Sequence, residues 1–176
     1  MPHDSKGNYY PFLSAILLSL FDFREVSAAG DVGDSTANGG LLASDTTPIL
    51  RGNAAETQEL SWAATNVDPV AAQIALPNDF SGADDVLVEL WVNSGTTNAA
   101  SFTVETGWDG GALVSDTATD SAPSATTHKI TAIIAASDIP DAASFLTLIL
   151  TPAAHATDAI QLLSARISYV PRVVAA

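Results

Sequence analysis

The sequence contains no cysteine, which excludes disulfides, thiolate nucleophiles and Cys-based zinc sites. Positive charge is nearly as scarce. Lys6, Lys129, Arg24, Arg51, Arg166 and Arg172 are the six basic residues, against 20 acidic ones, for a formal net charge of −14. A field of that sign repels phosphate backbones and anionic lipid, so neither nucleic acid nor a membrane surface is an expected partner. The rare arginines are candidates for bidentate pairing with carboxylates. Long apolar runs are missing too: the most apolar stretch near a terminus, Pro11 to Phe23, falls short of the roughly 20 residues a membrane-spanning helix needs. Catalytic motifs are absent. There is no Gly-x-Ser-x-Gly elbow, P-loop or Gly-x-Gly-x-x-Gly, and His3, His128 and His155 have no second His at ligand spacing.

What is present suffices for a core. Apolar residues make up 47% of the 176 positions and charged residues 15%, which argues against general disorder. Much of that share is alanine, so the large side chains concentrate in short runs. The length favours one domain with an appendage.

Residues 1–55 read as an N-terminal arm. Pro11 suits a first helical turn, and Phe12, Ile16, Leu20 and Phe23, like Leu13 and Leu17, recur at helical spacing; this predicts a short helix over 11–24. Lys6 before the run and Val26-Ser27-Ala28 after it also fit a secretory leader, but Asp4 cancels Lys6 and leaves the leader's basic region weak. The expectation is a retained segment whose apolar face, Phe12, Ile16, Leu17, Leu20 and Phe23, docks on its own domain or on a neighbouring subunit. The following stretch to Ala55 is rich in Gly, Ala, Ser, Thr and Asp and reads as an extended linker.

From Glu56 to Ala176 the pattern changes to short apolar runs separated by turn residues. Expected strands are Gln58–Ala63, Ala71–Leu76, Val86–Asn93, Ser101–Thr106, Ala112–Asp116, Thr126–Ala135, Phe145–Thr151 and Asp158–Val170. Val86, Val88, Leu90 and Val92 share one face, and Leu87, Glu89 and Trp91 the other. In the last run the apolar preference changes face at Leu162-Leu163, which predicts a β-bulge or a strand passing between sheets. Pro77-Asn78-Asp79, Ser94-Gly95, Asp109-Gly110-Gly111 and Pro140-Asp141 break the runs. Eight strands without a long helix among them indicate an all-β, antiparallel β-sandwich of jelly-roll type.

The stretch from Ile74 to Trp91, IALPNDFSGADDVLVELW, resembles the early hairpin of jelly-roll proteins encoded by tailed bacteriophages. Ser115–Asp120 and Leu148–Ile160 are similar to the same group, and the likeness extends over residues 56–170. It implies a head decoration, or cement, protein: a virion component on the capsid exterior, partnered by the major capsid protein and by itself as a homo-oligomer, a trimer. The alternative is a phage tail or receptor-binding module, or a carbohydrate-binding β-sandwich. For that alternative the candidate stacking residues are Trp91, on a strand face with Glu89, and Trp108, at the edge of the Asp109-Gly110-Gly111 loop.

An enzyme is not expected. Glu89 and Glu105 on adjacent strands would be one way to bring two carboxyls across a sugar cleft. No cofactor is expected: Asp84-Asp85, Asp31 with Asp34, and Asp138 with Asp141 are clusters of a kind that suits calcium, but no Asp-x-Asp-x-Asp-Gly loop accompanies them. His128 is expected on a solvent-facing strand position, and His155 as a loop cap near Asp158.

Overall fold

The computed structural model describes residues 13–26, 42, 48–52 and 58–172. Among these described residues eleven strands form two antiparallel sheets: β1 (Ser14–Leu18), β2 (Arg24–Glu25), β3 (Ile49–Gly52), β4 (Gln58–Trp62), β5 (Val70–Ala75), β6 (Val86–Asn93), β7 (Ser101–Trp108), β8 (Val114–Thr119), β9 (His128–Ile134), β10 (Phe145–Pro152) and β11 (Ile160–Tyr169). The first sheet runs β3-β4-β11-β6-β9, with β1 also paired to β11; the second runs β2-β5-β10-β7-β8. From β4 onward the chain alternates between sheets at nearly every connection, which is the antiparallel jelly-roll sandwich that the spacing of runs predicts.

Every expected strand from Gln58 onward overlaps one of these. Val86–Asn93 agrees at both ends. The largest displacement is at β8, which starts two residues later than expected and runs on to Thr119, because its bounds follow its pairing with β7, from Val114 opposite Thr106 to Thr119 opposite Ser101. Alternation places the core: Val86, Val88, Leu90 and Val92 of β6 are fully buried, facing Phe102 and Val104 of β7 and Leu146, Leu148 and Leu150 of β10. Trp62 and Phe102 join the sheets edge to face, with centroids 5.4 Å apart, and the Trp62 Nε1–H donates to the Asp68 carbonyl at 2.8 Å.

The helix expected over 11–24 is replaced by two strands around a single 3-10 turn, Leu20–Asp22. The cause lies in β11. Its first residues pair with β4, from Ile160 to Leu162, so its later half would keep an open edge; β1 fills that edge, with Ser14 opposite Tyr169 and Leu18 opposite Ala165. A helix there would leave the backbone groups of residues 165–169 unpaired, whereas a strand satisfies both chains. Ser19 Oγ accepts from the Phe21 N–H at 3.2 Å to close the turn, and the chain crosses to β2, which pairs with β5.

Of the two docking places expected for the apolar segment, its own domain or a neighbouring subunit, this geometry puts Leu20 and Phe23 in its own domain. Phe23 is completely buried and Leu20 is 7% exposed, both within the main core; Ile16 is half-buried against it, while Leu17 is 78% exposed. Phe12 lies outside the described residues. Phe23→Ala should therefore cost about 3–5 kcal/mol of folding stability through the cavity it leaves, read as a lower denaturant midpoint at unchanged slope.

Candidate functional site

The open face of the first sheet is the most distinctive surface of the molecule. A strand's alternate residues point away from the core, so β6 presents Leu87, Glu89, Trp91 and Asn93 outward, and β9 presents Lys129, Thr131 and Ile133. The register aligns these side chains in rows: Lys129 stands opposite Trp91, Thr131 opposite Glu89, Arg166 of β11 opposite Glu89, and Gln161 opposite both Asn93 and Ser61. Between Leu162 and Ser164 the β11 register slips by one residue, the bulge the sequence predicts at Leu162-Leu163. That slip lets Leu162 keep facing the core while Arg166 still faces out beside Glu89 and Trp91.

Two glutamates anchor the face. Glu89 is only 3% exposed, yet it is fully partnered: Lys129 Nζ donates to Oε1 at 2.5 Å, Arg166 Nε to Oε2 at 2.5 Å, and Ser168 Oγ to Oε2 at 2.6 Å. Burial by itself pushes the carboxyl upward; the bonds from Arg166, Lys129 and Ser168 together outweigh it and hold the group at about 2, against an ordinary 4.5. Glu59, also buried, accepts from Arg51 Nε at 2.9 Å and from the Gln161 amide at 3.0 Å. Arg51 reaches on to Ser61 Oγ at 3.5 Å. The rare arginines are thus ion-pair anchors at positions 51 and 166, as their scarcity suggests.

Trp91 lies at the centre of this network, half-buried, with the Arg166 guanidinium carbon 4.9 Å from its ring centroid. Cation–π attraction and the Glu89 bond fix the guanidinium from two directions, so the indole has a rigid neighbour on a polar, solvent-facing sheet. Trp108, the other expected stacking residue, is elsewhere. It is 4% exposed, packed on Phe80 with centroids 5.6 Å apart, and Phe80 in turn contacts Tyr169 at 5.2 Å. The strand β7 continues two residues beyond its expected end and turns Trp108 inward, so this side chain cannot present a ring to a ligand.

The remaining candidates separate. Glu89 and Glu105 belong to different sheets, β6 and β7, and each lies on its own sheet's outward side; they face opposite sides of the sandwich and form no common cleft. Among the described residues no group of three or more His, Asp or Glu side chains comes together as a metal cage; Asp31 and Asp34 are outside them. Asp85 accepts from the Ala136 N–H at 3.0 Å, a local loop cap. His155 is 2% exposed and spans two carbonyls, Ala153 at 2.8 Å and Ala63 at 3.0 Å, tying the β10–β11 loop to the end of β4. Asp158 clamps the β6–β7 loop instead, accepting from the Thr97 and Asn98 N–H groups, which lower its carboxyl below the ordinary range. A Cβ on Gly95 would overlap the Asp158 carboxyl, so that clamp requires glycine. His128 faces Asp120 at 2.7 Å.

Sequence reasoning picked out Trp91 and Glu89, the latter as a partner for Glu105, but not Glu59 or the pairing of Glu89 with Lys129 and Arg166. The signal for a buried ion pair was that Glu89 is the one charge in its strand, between Val88 and Leu90.

No protein-family model matches this sequence, and no curated protein is similar to it in sequence. Solved structures do resemble it. The xylan-binding module CBM15 is 16% identical and superposes with a TM-score of 0.54 over 89% of this chain and 96% of that one. A xylanase 10C mutant (E385A) from Cellvibrio japonicus, in complex with xylopentaose, is 13% identical with a TM-score of 0.50; the match covers 88% of this chain and only 28% of the enzyme's. At such identities the likeness shows the fold, the jelly-roll β-sandwich shared with carbohydrate-binding modules.

Proposed function

We propose that the protein is a carbohydrate-binding module that takes a polysaccharide chain across the open face of the β3-β4-β11-β6-β9 sheet. The observation that carries this reading is Trp91: a half-buried indole on the solvent-facing side of the sheet, flanked by Arg166, Lys129, Gln161 and Asn93, with Arg166, Lys129 and Gln161 held by two buried glutamates. A sugar ring offers an apolar face of C–H groups and an equatorial rim of hydroxyls. An aromatic platform ringed by preorganised donors and acceptors matches both, and the rigidity of the network limits the entropy lost on binding. The width also suits a chain rather than a single sugar. Four strand spacings of about 4.8 Å separate β3 from β9, so the face measures roughly 19 Å across.

The sandwich likeness to a xylan-binding module supports this reading over capsid decoration. Two residues of the apolar segment that could bridge neighbouring subunits, Leu20 and Phe23, are enclosed in the protein's own core. A pull-down on insoluble xylan, cellulose and mannan, followed by calorimetric titration with oligosaccharides of the retained polymer, tests the proposal. Retention on at least one polymer with a saturable isotherm is expected; failure to bind any of a broad glycan panel would overturn it.

A further inference from the structure

The charge on this face runs against the charge of the whole chain. Of 20 acidic residues, the strands of the first sheet carry two, Glu59 and Glu89, and both are buried. Of six basic residues the same sheet carries three, Arg51, Lys129 and Arg166, whose side chains are 47%, 45% and 37% exposed, while the carboxylates they bind are 2% and 4% exposed. The ion pairs are therefore stacked by depth, with anions beneath and cations on top. Three cations over two carboxylates leave one positive charge in excess, on a molecule whose net charge is −14.

The cations are also placed around the platform. Lys129 is the register partner of Trp91 on one side, and Arg166 lies over the indole from the other. Arg166 binds Glu89 through Nε, which leaves the terminal pair of guanidinium nitrogens outside that bond, and guanidinium N–H pairs fit a carboxylate bidentately. A site for uncharged sugar alone has no use for this layering, since neutral amides and hydroxyls satisfy hydroxyl groups without drawing cations out of an acidic chain.

We infer that the ligand chain carries uronic acid: a sugar stacked on Trp91 bears, or neighbours, a carboxylate received by Arg166 and Lys129. This rests on the carbohydrate-binding reading and names the substrate class of the same site. Overall repulsion between the protein and a polyanion makes the recognition local, so binding to an acidic glycan requires that specific contacts outweigh the long-range field.

The test is a paired calorimetric titration with xylo-oligosaccharides of equal length, with and without a glucuronic acid substituent, alongside the carboxyl-reduced form of the acidic one. The acidic oligosaccharide should bind about tenfold tighter than the other two, the value of one charge-assisted contact. In Lys129→Met, where Glu89 keeps Arg166 and Ser168, that ratio should fall toward one. Equal affinity for all three ligands would overturn the uronate inference and leave the carbohydrate reading intact. Binding to none of them, with neutral polymers of other backbones also refused, would remove both. Preference for the neutral forms would mean that the acidic field dominates and the layering is structural only.

Discussion

Replacing Trp91 with alanine should weaken polysaccharide binding by about 30-fold or more, roughly 2 kcal/mol, with little change in melting temperature. The two effects separate because of where the ring sits. Trp91 is on the outward side of β6, opposite the buried row Val86, Val88, Leu90 and Val92, so its removal opens no cavity in the core. What disappears is the aromatic surface at the centre of the face, and with it the ring over which Arg166 lies. Trp108→Ala is the matched control. That ring is buried against Phe80, so truncation should cost about 3–5 kcal/mol of stability while the molecules that remain folded bind normally. The result that sinks the site assignment is the reverse pattern, with Trp91→Ala binding as the wild type does.

Glu89→Gln should lower folding stability by about 3 kcal/mol at neutral pH, measured by denaturant titration. Glutamine keeps the volume but not the charge, so Arg166 and Lys129 lose the counter-ion they share and Ser168 loses its strong acceptor. The pH dependence has a definite sign. The carboxyl titrates at about 2 in the folded protein against an ordinary 4.5, so the folded state prefers the charged form. Its contribution is therefore complete above about pH 4.5, declines as the pH falls toward 2, and is absent below that. Glu25 and Asp116 shift the opposite way, raised first by burial and then by the neighbouring charges of Asp68 and Asp138, so the wild-type curve alone is a composite. The difference between wild type and Glu89→Gln isolates the one group, and it should narrow toward zero as the pH drops from 4.5 to 2. A difference that stays constant through that window would show that Glu89 acts by shape and not by charge.

Both predictions concern residues with unequal visibility in the sequence. Trp91 could be assigned to the polar side of its strand from alternation alone, because a period of two depends only on the backbone pleat. Trp108 could not. Its fate turned on whether β7 stopped at Thr106 or ran two residues further, and the end of a strand is set by what pairs with it: here β10, whose Leu146 lies opposite Trp108. The N-terminal segment shows the same limit more strongly. Ile16, Leu20 and Phe23 have helical spacing, but the vacant edge of β11 selected a strand, and no property of residues 11–24 announces that edge.

The sequence by itself determined the class of architecture, the approximate position of every strand from Gln58 onward, the side of β6 that is buried and the change of face at Leu162-Leu163. These follow from local periodicity and turn chemistry, which act within a few residues. Tertiary structure alone decided that Lys129, Glu89 and Arg166, spread over 78 positions of the chain, would share one face, that Glu105 would lie on the opposite one, and that the cations would sit above their carboxylates. Those outcomes depend on strand order and register, which are fixed by pairing between segments remote in sequence and leave no trace in any one of them.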